Sequence, residues 1–245
     1  RYRLPLVPVA ALLAGNFLAA GPPALRRPAA VAGLVGGLLL FNLDAARPSE
    51  SWPEEEALNR AFALRARGRL EQARREYRRA LELNPGRIDP HNSLAALAAR
   101  EGRWEEAARH YRAILEIAPD FVEVRRNLGQ AYMALGREED ARREWRTAIR
   151  LAPGAGLALA DLCLSYLDEG LAAVAEPYCA RAVRARPDLP ETHFALGLVA
   201  RSLRDRGRAR AALREAARLW PAGHPGRRRA EAILEAMRRR EAGDG

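Results

Sequence analysis

At 245 residues the chain is long enough for one large domain or two small ones, and its make-up of 49% hydrophobic but only 6% aromatic residues, rich in Ala, Leu, Arg and Glu, favours long helices and excludes a large sheet. All 41 basic residues are arginine and the net charge is +10, of which +4 falls in residues 1–47 and +6 in the rest. Spread over the remaining length, that surplus is modest, and Arg interleaves with Glu, as in Glu71-Gln72-Ala73-Arg74-Arg75-Glu76. This is the pattern of a solvated helix surface, so nucleic acid is not expected as a partner.

The first fifty residues differ from everything after them. The chain begins with Arg1 rather than Met, as a fragment or trimmed product would. Residues 4–25 carry no charge; Arg26 and Arg27 follow; residues 28–43 are again uncharged, and Asp44 ends the run. A bilayer span needs about 20 apolar residues. The spacing therefore predicts a membrane hairpin, with candidate spans 4–25 and 28–46 joined near Gly21-Pro22-Pro23. The alternative is a secretory signal with residues 4–20 as its apolar core, or a single anchor. A lipid bilayer is thus expected as one partner, with the protein in the bacterial inner membrane. Arg26-Arg27 at the turn favours an extracytoplasmic C-terminal region, although Arg1, Arg3 and Arg47 pull the other way. Residues 47–53, with two prolines and two serines, read as a linker, and Ser51 or the Trp52-Pro53 step opens the next helix.

From residue 54 a period of 34 sets in. Pro85, Pro119, Pro153, Pro187 and Pro221 keep it, and twelve residues before each stands an alanine: Ala73, Ala107, Ala141, Ala175, Ala209. Eight before each proline come Tyr77, Tyr111, Trp145, Cys179 and Leu213. Gly68, Gly102, Gly136 and Gly170 mark a turn in the first four units, where glycine permits the left-handed conformation that ends a helix. In the fifth unit Asp205 is taken to stand at that place, with Gly207 two residues on, so its turn is expected to be shifted or looser. The units are 54–87, 88–121, 122–155, 156–189 and 190–223. After them Ala230, Ile233, Leu234 and Met237 recur at helical spacing, which predicts a capping helix and tail over 224–245.

These phased residues, together with Leu128-Gly129-x-x-Tyr132, resemble the tetratricopeptide repeat. The resemblance implies an all-α superhelical solenoid of five helix-turn-helix repeats plus the C-terminal cap helix, preceded by one or two transmembrane helices. It further implies a groove, lined by the first helix of each pair, that takes a protein or peptide ligand. The inward positions map to Asn59, Phe62, Asn92, Arg126, Asn127, Gln130, Asp161, Leu164, Phe194, Leu198 and Arg201. The polar members suit the backbone of an extended peptide, and Phe62 and Phe194 would anchor apolar side chains. The carboxylate clamp of some repeats of this kind needs lysines, which this chain lacks.

Little else carries chemistry. Two cysteines do not make a disulfide framework. Cys163 and Cys179 fall at small-residue positions on facing helices, either as core packing or, in an oxidising compartment, as a pair. His91 and His193 share one repeat position and read as packing residues with a polar tip. No metal, cofactor or catalytic residue is expected. A membrane hairpin, a Pro-rich linker and repeats of this kind also resemble the C-terminal end of bacterial family 39, protein-mannosyltransferase-like glycosyltransferases. That resemblance implies a regulatory or docking tail of an enzyme using a lipid-linked sugar, and it transfers no catalytic residue to this chain. The expectation for the chain itself is a membrane-anchored interaction scaffold without enzyme activity.

Overall fold

The computed structural model describes residues 52–243, with side chains to Arg239. The candidate spans 4–25 and 28–46 lie outside the described residues, as does most of the linker. Among the described residues no helix is long and apolar enough to cross a membrane.

Among the described residues there are eleven helices and no strand. In chain order they are α1 (Pro53–Ala66), α2 (Leu70–Leu83), α3 (Ile88–Arg100), α4 (Trp104–Ile117), α5 (Val122–Ala134), α6 (Glu138–Leu151), α7 (Gly156–Asp168), α8 (Ala172–Ala185), α9 (Pro190–Ser202), α10 (Arg206–Leu219) and α11 (Pro225–Gly243). Each odd helix packs chiefly on the even helix that follows, and each hairpin then packs on the next. One hairpin cannot bury its own apolar stripe, so stacking is what completes the core.

The turns inside the hairpins share one geometry. Gly68, Gly102, Gly136 and Gly170 take φ between 71° and 77°. The amide after each reaches back to close the helix end, as in Arg69 N–H to Leu64 O and Arg137 N–H to Tyr132 O, both 2.9 Å. The fifth hairpin corrects the sequence reading. The residue in register with the glycines is Arg204, not Asp205, and it takes the left-handed conformation itself, at φ 62°. Asp205 N–H still bonds to Ala200 O at 2.9 Å, and the Asp205 carboxylate caps α10 by accepting from Arg208 N–H at 2.9 Å. The turn is neither shifted nor looser; it holds the same shape against the preference of a residue that has a Cβ.

What sets the distance between paired helices is a small residue on the first and a large one on the second, sixteen positions on. In the third unit Gly129 faces Trp145, and in the fifth Gly197 faces Leu213. Ala61 with Tyr77 and Ala95 with Tyr111 keep the same register and are all buried. In the fourth unit this pair is Cys163 and Cys179, and the structure joins them in a disulfide across α7 and α8, with Cα atoms 5.5 Å apart. The phased alanines, Ala73, Ala107, Ala141, Ala175 and Ala209, are all fully buried.

Neighbouring hairpins are tied by ions as well as by apolar packing. Arg74 on α2 donates to Glu101 at the α3–α4 turn at 2.5 Å. Two repeats later Arg142 on α6 repeats the contact with Glu169 at the α7–α8 turn. Both arginines are buried along their stems. Arg142 also donates to Glu139 at 2.6 Å and to the Ser165 hydroxyl at 3.2 Å, and its guanidinium lies 5.2 Å from the Tyr166 ring centroid. At the end of the stack α11 buries Ala230 and Leu234, with Ile233 and Met237 packed partly beside them, against Leu213, Ala216 and Trp220.

Candidate functional site

First helices approach one another across the repeats, α7 meeting both α5 and α9, so they share one face of the array. Near its middle three of the candidate residues come together. Arg126 on α5 donates from Nε to Asp161 Oδ2 on α7 at 2.6 Å, and Gln130, one turn along α5, donates to the same oxygen at 3.3 Å. Burial pushes the Asp161 carboxyl above its ordinary value; Arg126 and Gln130 pull it back only in part, and Glu191 nearby adds to the rise. The backbone beneath is held by Trp145, whose indole N–H donates to Arg126 O at 3.1 Å. The small residue Gly129 that admits this indole lies between Arg126 and Gln130 on the same helix. The hairpin's packing therefore positions the polar cluster.

The other candidates are distributed unevenly. Asn127 is half-buried beside this cluster, and Leu164 packs partly on the central core. Asn59 and Asn92 are exposed on α1 and α3. Phe62 is half-buried edge-on against Tyr77, centroids 5.7 Å apart, with Arg65 over its ring at 5.4 Å. Phe194 departs from its expected role as a free anchor. It is 9% exposed, meets Trp220 edge to face at 5.5 Å, and is roofed by Arg229 at 5.5 Å. The cap end of the stack has taken the ring into its own core. Leu198 and Arg201, in contrast, line an open cleft of about 660 Å³ between the end of α7, α9 and α11.

The histidines act on the backbone. The Nε2–H of His91 donates to Pro85 O at 3.3 Å and that of His193 to Pro187 O at 2.9 Å, while Arg125 does the same to Pro119 O at 2.9 Å. The side chain six residues after the phased proline thus ties down its carbonyl. His91 Nδ1 is left to accept from His110 Nδ1–H at 2.9 Å. Burial, and the His91 ring beside it, lower the His110 pKa to about 4. Among the described residues no group of three or more His, Cys, Asp or Glu could hold a metal ion.

The positive surplus is not spread as the sequence reading has it. Residues 48–200 balance to −1, whereas residues 201–245 carry +7. The ionic staples, Arg204 and the cleft against α11 were outside the sequence reading, whereas the Cys163–Cys179 bond was one of the two alternatives it left open. A signal existed for the staples, since Arg74/Glu101 and Arg142/Glu169 recur with the same separation two repeats apart.

Stacked antiparallel hairpins of this length, with small–large pairs and glycine turns, define a helical-repeat solenoid. Residues 98–163 match the family profile described as Tetratricopeptide repeat, and residues 63–102 the one described as TPR repeat. The array is a tetratricopeptide-repeat solenoid. No functionally curated protein matches the sequence. Among solved structures, TTC0263, a thermophilic TPR protein of Thermus thermophilus, is 24% identical with a TM-score of 0.60, over 74% of this chain and 98% of its own. Pseudomonas aeruginosa pilF is 21% identical with a TM-score of 0.60, over 79% and 93%. YrrB, described as a TPR protein with an unusual peptide-binding site, is 18% identical with a TM-score of 0.55, over 77% and 97%. At these identities the likeness speaks to the fold.

Proposed function

We propose that this chain is a membrane-anchored scaffold whose repeats hold a protein or peptide partner on the face of the first helices. The observation that carries the reading is the Arg126–Asp161–Gln130 cluster. It spans two repeats, and its Arg126 and Asp161 side chains are held mostly buried, at 22% and 17% exposure, on the first helices. Such a fixed polar group suits the main chain of an extended peptide, because its own ordering has already been met by the fold. The peptide-binding description of YrrB is a precedent on the same fold.

Placement at the membrane rests on residues 4–46 of the sequence. Placement of the repeats outside the cytoplasm is supported by the Cys163–Cys179 disulfide, since such bonds persist in oxidising compartments. The glycosyltransferase parentage draws nothing from these comparisons. The test is cross-linked capture of partners by the full chain in its own membrane, set beside a variant carrying Arg126→Ala, Asn127→Ala and Gln130→Ala. The variant is expected to lose the captured species. Undiminished capture would show that this face does not hold the partner.

A further inference from the structure

Two open clefts meet over Arg201 and Ile233. The first, between α7, α9 and α11, has Leu198 and Ile233 in its floor and Arg229 on its wall. The second, of about 640 Å³, lies between the α9–α10 turn and α11 and adds Arg204, Arg206 and Met237. Leu198, Ile233 and Met237 are the partly buried rim of the C-terminal core, so an aliphatic strip runs between cationic walls. Arg201, Arg204 and Arg206 form no ion pair with an acidic side chain among the described residues. Arg204 sits in a left-handed conformation that glycine fills in the four sister turns. A strained residue retained at a cleft edge is a reason to look for a ligand.

We propose that this double cleft binds a peptide segment that mixes acidic and aliphatic side chains, its carboxylates on Arg201, Arg204 and Arg206 and its aliphatic groups on the Leu198–Ile233–Met237 strip. The inference rests on the reading of the first-helix face as the partner groove and extends it to the cap end. Charge complementarity selects the occupant. The walls hold no aromatic ring on which a nucleobase would stack. A membrane surface fits poorly, because α11 also exposes Glu231 and Glu235. Forked guanidinium groups on a partly desolvated strip suit carboxylates.

The probe is a fluorescein-labelled short peptide of alternating Leu and Glu, titrated into the full chain and followed by anisotropy. Its Leu/Gln counterpart, an oligothymidine and phosphatidylglycerol vesicles are run beside it. The Leu/Glu peptide is expected to bind about tenfold more tightly than the Leu/Gln peptide, and Arg201→Ala with Arg206→Ala to weaken it about tenfold. Arg204→Gly is expected to weaken it while raising the melting temperature, which separates loss of contact from loss of fold. Arg126→Ala should leave it bound. Preferential binding of the oligonucleotide or the vesicles, or indifference to the Arg201/Arg206 change, overturns the proposal. If the Arg201/Arg206 variant binds unchanged while the Arg126 set still releases the captured partner, the groove reading survives and this one fails.

Discussion

Gly129 offers the sharpest test of how the hairpin spacing is set. A Cβ added there would lie 2.3 Å from Trp145 Nε1 and 2.7 and 2.8 Å from two ring carbons. The indole cannot swing aside, since it is 2% exposed and its N–H is bonded to Arg126 O at 3.1 Å. Gly129→Ala gains about 1 kcal/mol of helix propensity. Against it stand about 1–3 kcal/mol of overpacking and about 1 kcal/mol if the indole hydrogen bond breaks. The net is a loss of about 2 kcal/mol, or about 4–8 °C in melting temperature for a domain of this size. Units one and two pair alanine with tyrosine at the same places, Ala61 with Tyr77 and Ala95 with Tyr111. Gly129→Ala combined with Trp145→Tyr should therefore recover most of the loss. Circular-dichroism melts of the four proteins in the double-mutant cycle measure the coupling. If Gly129→Ala alone stabilises the protein, or Trp145→Tyr rescues nothing, the small–large account of hairpin spacing is wrong.

Three further outcomes follow from the same contacts. The Cys163–Cys179 bond closes a loop over a sequence separation of 16, for which the chain-entropy model gives about 3 kcal/mol, so melts with added reductant should fall by about 6–12 °C; an unchanged melt would mean that the bond contributes nothing to the fold. His110 is neutral in the fold, with its pKa lowered to about 4, and takes up a proton near 6.5 once unfolded. The stability it contributes is therefore complete above pH 6.5 and is lost as pH falls from there toward 4, and His110→Gln should flatten that part of the pH–stability curve. Arg142 has a side chain only 4% exposed, but its carboxylate partners Glu138, Glu139 and Glu169 are 51%, 71% and 36% exposed and rehydrate when it is removed. Arg142→Ala should accordingly lose about 1–3 kcal/mol, mostly stem packing, while the exposed Arg143→Ala loses less than about 0.5 kcal/mol; equal losses in urea titrations would refute a structural role for the buried guanidinium.

The repeats were legible because their defining residues recur in phase. An alanine that must be buried and a proline that must end a helix leave the same mark five times, and chance does not. What one copy alone reveals is harder to see. Phe194 sits on the correct helix face by register, yet Trp220 and Arg229 fold back over it, and nothing local to α9 announces that. Arg74 and Arg142 resemble the many surface arginines beside glutamates; only the turn of the next hairpin, 27 residues on in each case, turns them into staples. Cys163 and Cys179 lie in the small–large register, but their pairing needed the helix separation itself. The Arg126–Asp161–Gln130 cluster was named residue by residue from the groove register, whereas its bonding, with one acid serving two donors, came from the stacking of α5 on α7.

The separation of charge along the stack bears on how the two ends differ. In a solenoid each hairpin is stabilised by its neighbours, so a terminal unit has one interface where an inner unit has two. The cap helix α11 is in that position, and with the last hairpin it holds the +7 of residues 201–245, against −1 for residues 48–200. Mutual repulsion among those arginines subtracts from the weaker end of the array. The staples that fix inner neighbours, Arg74 to Glu101 and Arg142 to Glu169, recur with a spacing of two repeats. A ligand bearing carboxylates would relieve the repulsion and add an interface at once, and its binding free energy would appear as added stability of the folded end. Recognition and completion of the solenoid would then be a single event at the cap.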